Sequence, residues 1–214
     1  MILPFEKLDS VVDKIRNMYG NDYINHLREQ YFTEFGKPAW DEPFYETRMN
    51  LFIEWMIIRI FPSIPEYSTI ISTLDNDTGV FLKNCMNSQY GFFVIEAPIK
   101  NKMGFLRDLI RGSDFHVSID PEIHIPEFPC IIQGRIIFYD SILFLAPSMI
   151  IHPESAHDGI LSILDQYGGM DIYKLTGLLA KLHLRSWRYP HLNPKRFYIL
   201  SDPLVRDISK QYIH

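Results

Sequence analysis

Cysteine is scarce in this chain: Cys85 and Cys130 are the two among 214 residues. Two thiols cannot make a disulfide framework, so the fold must rest on an apolar core. Long apolar runs are missing too. The greasiest stretch, "LFIEWMIIRIF" at 51–61, is about half the length that a bilayer crossing needs, and it carries Glu54 and Arg59. No membrane span is expected. The opening "MILPFEKLDS" has Pro4, Glu6 and Asp9 where a signal peptide would be apolar, which with eight methionines and little cysteine points to the reducing cytoplasm. The chain has no Gly-x-Gly-x-x-Gly, no P-loop and no Gly-x-Ser-x-Gly elbow. These absences argue against the commonest phosphate-cradling and nucleophilic enzymes. A net charge of −5 argues against a dedicated DNA-binding protein.

What is present is an ordinary globular balance, 47% hydrophobic and 22% charged, with a high aromatic share of 14%. Aromatic side chains bury much area each, so a core is readily built. Charge is segregated. Residues 181–214 carry seven Lys or Arg and two acids, a balance of +5 that leaves −10 on residues 1–180. The structural explanation is that the tail docks on the acidic remainder.

Residues 5–35 read as helix from Leu8, Val11, Val12, Ile15 and Met18, then Ile24, Leu27, Tyr31 and Phe35, with a break at Gly20-Asn21. "WDEPFYETRMNLFIEWMIIRIFP" reads as a central helix, with Asp41 or Glu42 as cap and Pro43 in the first turn. Shorter helices are expected near 66–74 and 77–87. From residue 90, five short β-branched or aromatic segments follow at roughly ten-residue spacing, each bounded by turn residues. The run 130–138 is apolar enough to be buried on both faces. After Pro147 the helical period returns, ending in a less regular segment where Ser201 or Asp202 caps a last helix. The expected class is α+β: a small antiparallel five-stranded barrel or bent sheet flanked by N- and C-terminal helices. Its parts are 1–88 helical, 89–150 β and 151–214 helical, together one compact unit.

"NLFIEWMI" (50–57) resembles the Phe-x-Glu-Trp helix of a bacterial family of uncharacterised proteins. "FFVIEAPIKNKMGFLRDLIRGSDFHV" (92–117) is similar to that family's strand–turn–strand core, in which Arg-Asp-Leu precedes a Gly turn. "RYPHLNPKRFY" (188–198) resembles its basic helical C-terminal ending. The resemblance spans about residues 40–200. It implies the fold sketched above and no activity, because the family has no established catalytic residues to carry over. Some relatives carry a Cys-rich metal-binding tail, which two cysteines cannot supply.

Among candidate residues, Glu54 sits on an apolar helix face beside Trp55. A buried carboxylate is costly unless paired, so Arg48, Arg107 or Arg135 is expected to meet it. The structural reading, in which Glu54 pins the helix to the sheet, is set against a general acid–base role. Arg107-x-x-x-Arg111 is the spacing with which PilZ-type barrels sense cyclic dinucleotides. There the pair precedes the first strand and an Asp/Asn-x-Ser-x-x-Gly follows. Here "DFHVSIDPE" lacks that pattern, and positions 107 and 111 of an extended strand lie roughly 13 Å apart. Asp108 and Gly112 therefore read as hairpin chemistry, with Gly112 suited to positive φ.

His152 and His157 are five apart, which turns one by roughly 140° from the other on a helix; surface or capping roles are expected rather than a metal site. The same holds for His116 and His124. Neither cysteine has a neighbouring base. The tail's Arg185, Trp187, Arg188, Tyr189, Lys195 and Arg196 interleave charge and aromatics. That pattern suits a protein partner, or base stacking and phosphate neutralisation, or Arg stems packed over rings. No cofactor and no metal are expected. The functional expectation is a non-enzymatic regulatory or adaptor protein of the bacterial cytosol with a protein partner. The alternatives are a nucleotide or nucleic-acid binder using Arg107, Arg111 and the tail, and an enzyme centred on Glu54.

Overall fold

The computed structural model describes residues 3–97, 102–123 and 129–213. Two stretches of helix bracket a sheet, so the protein is α+β as expected. Helix α1 (Glu6–Phe35) is bent at Gly20, whose φ of 82° falls at the expected break. Helix α2 (Tyr45–Trp55) runs on into a π-helical turn at Met56–Ile60 and a 3₁₀ turn at Phe61–Ser63. Neither Asp41 nor Glu42 caps α2, because residues 40–44 form turns. Glu42 is engaged instead by the Ala39 N–H at 2.8 Å and by Arg188. Helices α3 (Tyr67–Ser72) and α4 (Asn76–Met86) follow. Asp75 caps α4, accepting from the Thr78 N–H at 2.9 Å.

The sheet has six strands: β1 (Gln89–Ile95), β2 (Met103–Asp108), β3 (Asp114–Ser118), β4 (Cys130–Tyr139), β5 (Ile142–Leu145) and β6 (Ile150–His152). Strand β1 pairs antiparallel with both β2 and β4, β2 with β3, and β4 with both β5 and β6. Strands β3 and β5 run parallel and meet at one residue pair, Ser118 opposite Phe144. The sheet is thus mixed and six-stranded, where a five-stranded antiparallel barrel or bent sheet was expected, and it is not a clean barrel. The sixth strand escaped the sequence pattern because three residues are too few to show a period of two. It exists because Ile150, Ile151 and His152 can pair with the free edge of β4 opposite Gln133, Ile132 and Ile131.

Strand β4 is the hinge of the architecture. Every residue from Cys130 to Ile137 is buried, as its apolar run suggested, whereas Phe138 is 57% exposed. Its even positions, Cys130, Ile132 and Ile136, pack with Phe93, Leu106, Val117 and Leu145 inside the curve of the sheet. Its odd positions face helices: Ile131 joins the cluster of α5 (His157–Tyr167) and α6 (Ile172–Arg188), and Ile137 joins that of α1, α2 and α4. The clusters cross the expected segment boundaries, since Ala180 of α6 also belongs with the N-terminal helices.

Helix α6 begins on a cap from Asp171, which accepts from Tyr173 and Lys174. Beyond α6, residues 194–198 form a 3₁₀ turn rather than the extended piece expected, and α7 (Arg206–Ile213) starts after Asp202 has taken the Leu204 N–H. Gly159 lets this turn dock. A Cβ there would stand 2.7 Å from Tyr198 Cβ and 2.9 Å from its carbonyl oxygen. That close approach seats the Tyr198 ring beside β6.

Candidate functional site

Between α2, β6 and α6 lies a cavity of about 610 Å³, within the size range of small-molecule sites. Its walls are mainly apolar, from Pro43, Phe44, Met149, Ile150, Ile151 and Pro153. Four side chains of different character complete them: Arg48, His152, His183 and Trp187. On sequence Arg48 is a candidate only as a partner for Glu54 and His152 only as a surface or capping residue, and His183 is not singled out.

Arg48 projects from α2 and is 1% exposed. Its Nη2 donates to the Ala180 carbonyl at 2.9 Å and to His183 Nδ1 at 3.1 Å, and Nη1 reaches the Phe35 carbonyl at 3.4 Å. Its Nε has no hydrogen-bond partner. No carboxylate lies within ion-pair distance of this guanidinium among the described residues. Burial pulls the Arg48 pKa down, against the weaker opposing pull of Tyr31, Tyr90, Tyr198 and Glu42.

His183 has two suitors. Arg48 Nη2 faces Nδ1, and the Trp187 indole N–H lies 3.1 Å from Nε2. Both are donors only, and a neutral imidazole offers one lone pair, so it can accept from one of them at a time. His152 Nδ1 shares a hydrogen bond with the Tyr198 hydroxyl at 3.0 Å, and its Nε2 is buried without a partner. The two rings meet edge to face at 5.6 Å. His152 was expected at the surface or as a cap; instead it is 2% exposed. Pro153 does exclude it from the helix, and β6 carries it inward.

Burial, then the Arg48 charge, then His157 drive His152 down to about 3. Burial, Arg48 and His152 likewise hold His183 well below its ordinary value. Both rings are neutral at pH 7. Unfolding lets them take up protons below about pH 6.5, so each contributes a loss of stability as pH falls. Glu54 acts oppositely, because its folded value is raised to about 7: the folded protein binds its proton first. Two groups against one leave a net loss of stability as pH falls from about 6 to 5. Urea denaturation at those two pH values should show it, and in Glu54→Gln, where the opposing group is gone, the loss should be larger.

The candidates from sequence fall elsewhere. Glu54 meets Arg135, and neither Arg48 nor Arg107: Arg135 Nε lies 3.4 Å from Glu54 Oε2, with both side chains buried. Arg135 also donates to Ser88 Oγ at 2.9 Å and lies over the Tyr90 ring. Glu54 Oε1 has no partner. Desolvation raises the Glu54 pKa more than Arg135 and then Ser148 lower it. Trp55 is buried against Tyr31. Cys85, beside this pair, is pushed up to about 12 by burial and by Glu54, which makes it an inert thiol.

Arg107 points outward to Asp114 at 2.9 Å and Glu96 at 3.6 Å. Arg111 meets Asp108 at 2.8 Å, and Gly112 does take positive φ, 69°. In the tail, Arg185 pairs with Asp207 and Arg196 with Asp202, both within the tail itself. Arg188 pairs with Glu42, and Lys195 with Asp158, on the acidic remainder. Trp187 and Tyr189 are 52% and 44% exposed. His116 faces Phe105, and His124 lies outside the described residues.

No protein-family model, no curated protein and no solved structure matches this chain. Among the described residues, no helix is long and apolar enough to cross a membrane.

Proposed function

We propose that this protein is a non-enzymatic regulatory protein that acts by binding, and that a small molecule occupies the cavity between α2, β6 and α6. The observation that carries this reading is the cavity itself: about 610 Å³, apolar-walled, with a buried arginine whose Nε and a buried histidine whose Nε2 lack partners. Buried polar groups are normally satisfied, and pockets of this size with few polar groups on apolar walls are the usual form of ligand sites. The two buried cysteines, neither of them in a disulfide, suit a reducing cytosol, and membership of a bacterial family is part of the same proposal. The environment-sensitive neutral dye Nile red is expected to bind the wild-type protein at one site. Thr47→Trp, which fills the cavity from α2, should lose that binding and keep its melting temperature. A wild-type protein that takes up no dye sinks the reading.

The adaptor role is a second reading, favoured by the exposed aromatics Trp40, Trp187 and Tyr189. Trp187 also lines the cavity, so a protein partner seated there would sense what the cavity holds. The nucleotide and nucleic-acid alternative draws less support, since Arg107, Arg111, Arg185, Arg188, Lys195 and Arg196 each have a carboxylate partner. An enzymatic role for Glu54 predicts that Glu54→Gln abolishes an activity without altering stability.

A further inference from the structure

The cavity carries a chemical signature beyond its size. Its polar wall has a surplus of N–H donors. Arg48 has donors only and leaves Nε unpartnered, while Arg48 Nη2 and Trp187 Nε1 compete for the single lone pair of neutral His183. It also holds a positive charge with no carboxylate within 4.0 Å among the described residues, in a side chain 1% exposed. Glu154, the acid among the lining residues, sits exposed at the rim, where water screens it. An unpaired charge so deeply buried is costly, and a ligand that brings a negative charge and acceptor oxygens removes both deficits at once. A carboxylate on a guanidinium is among the strongest charge-assisted contacts available. The rest of the wall is Pro, Phe, Met and Ile, which demands an apolar body. One buried cation matches one negative charge, and this favours a carboxylate over a doubly charged phosphate monoester.

Resting on the reading of this cavity as a ligand site, we infer that its ligand is a mono-anionic amphipathic acid, with its carboxylate against Arg48 and the Trp187 N–H, and its hydrocarbon along Phe44, Met149 and Ile151. His183 then keeps its lone pair for one donor while the carboxylate takes the other. His152, neutral and held by Tyr198, forms the adjoining wall.

The test is displacement of Nile red from the wild-type protein by three ligands of equal chain length: octanoate, octanol and octylamine. Octanoate should displace the dye at a concentration about tenfold or more below that of octanol, the ratio that one charge-assisted hydrogen bond provides. Octylamine should be weakest. Arg48→Met should bring octanoate and octanol level. Trp187→Phe, which removes the indole N–H together with part of a half-exposed ring, should weaken octanoate by a larger factor than octanol, and it serves should Arg48→Met fail to fold. Octanoate displacing no better than octanol overturns the inference and leaves the ligand-site reading standing. A protein that takes neither dye nor any of the three overturns both.

Discussion

Glu54→Ala is expected to destabilise the protein by about 3–5 kcal/mol, the usual cost of removing one partner of a buried ion pair. Both side chains of the Glu54–Arg135 pair are about 4% exposed. Without Glu54, the Arg135 guanidinium keeps only the Ser88 hydroxyl and the face of Tyr90, and a void opens between α2 and β4. Glu54→Gln should behave quite differently. Desolvation already raises the carboxyl to about 7, so the native site is close to accepting a neutral group, and the amide oxygen can still receive the Arg135 N–H. A change within about 1 kcal/mol is expected for Gln at pH 7. The linkage sign follows. Between pH 4.5 and 7, the unfolded chain has lost the Glu54 proton and the folded one retains it, so this group's contribution declines as pH rises through that window. The gap between wild type and Glu54→Ala should therefore narrow from pH 5 to pH 7. Urea midpoints at constant slope measure all three. Replacing the pair together, Glu54→Leu with Arg135→Met, should recover most of the loss. A cost for Glu54→Ala below 1 kcal/mol would show that the pair does not pin α2 to the sheet.

The second large effect is expected at Asp108. Its side chain is fully buried and accepts four hydrogen bonds: Oδ1 from the Ile110 and Arg111 N–H groups at 2.8 and 2.9 Å, Oδ2 from Gln89 Nε2 at 2.6 Å and Arg111 Nη1 at 2.8 Å. It closes the 109–112 turn and ties it to β1. Asp108→Ala leaves the Gln89 amide and two turn N–H groups short of an acceptor, and hydrogen bonds to a charged group contribute about 1.5–3 kcal/mol each. Partial access of water to the half-exposed Arg111 reduces the sum, so a loss of about 3 kcal/mol is expected. Arg107→Ala, one position earlier, removes only exposed, water-screened ion pairs and should leave the melting temperature almost unchanged. Thermal denaturation separates the two. Hydrogen exchange at the Ile110 and Arg111 amides should accelerate in Asp108→Ala alone. Equal effects at 107 and 108 would refute this division of roles.

The contrast shows which features one sequence can reveal. "RDLIRGSD" was legible as a hairpin because the relevant interactions are local: Asp108 and Arg111 are three apart, and Gly112 marks its own positive φ. The helix breaks at Gly20 and Gly36 were legible for the same reason. The need of Glu54 for a cation was legible from a carboxylate on an apolar face, but the choice of Arg135 over Arg48 and Arg107 was not. That choice depends on which face of β4 meets α2, and register across 81 positions leaves no trace in local spacing.

The cavity was the least legible feature. Arg48 read only as one of three possible partners for Glu54. His183 carried no local signal that singled it out. His152 stood before a proline and read as a cap. They meet because β6 adds to the edge of β4 and the Gly159 contact brings Tyr198 over it. Composition and periodicity by themselves determined an α+β chain with a hydrophobic core, its main helices, the doubly buried β4 and the Asp108 turn, since each follows from propensity or from contacts a few residues apart. The tertiary structure alone decided the mixed strand pairing of the sheet, the partner of Glu54, and the gathering of Arg48, His152 and His183 from positions far apart in the chain. Long-range pairing of strand edges and helix faces selects such neighbours, and it acts on surfaces that exist only once the chain has folded.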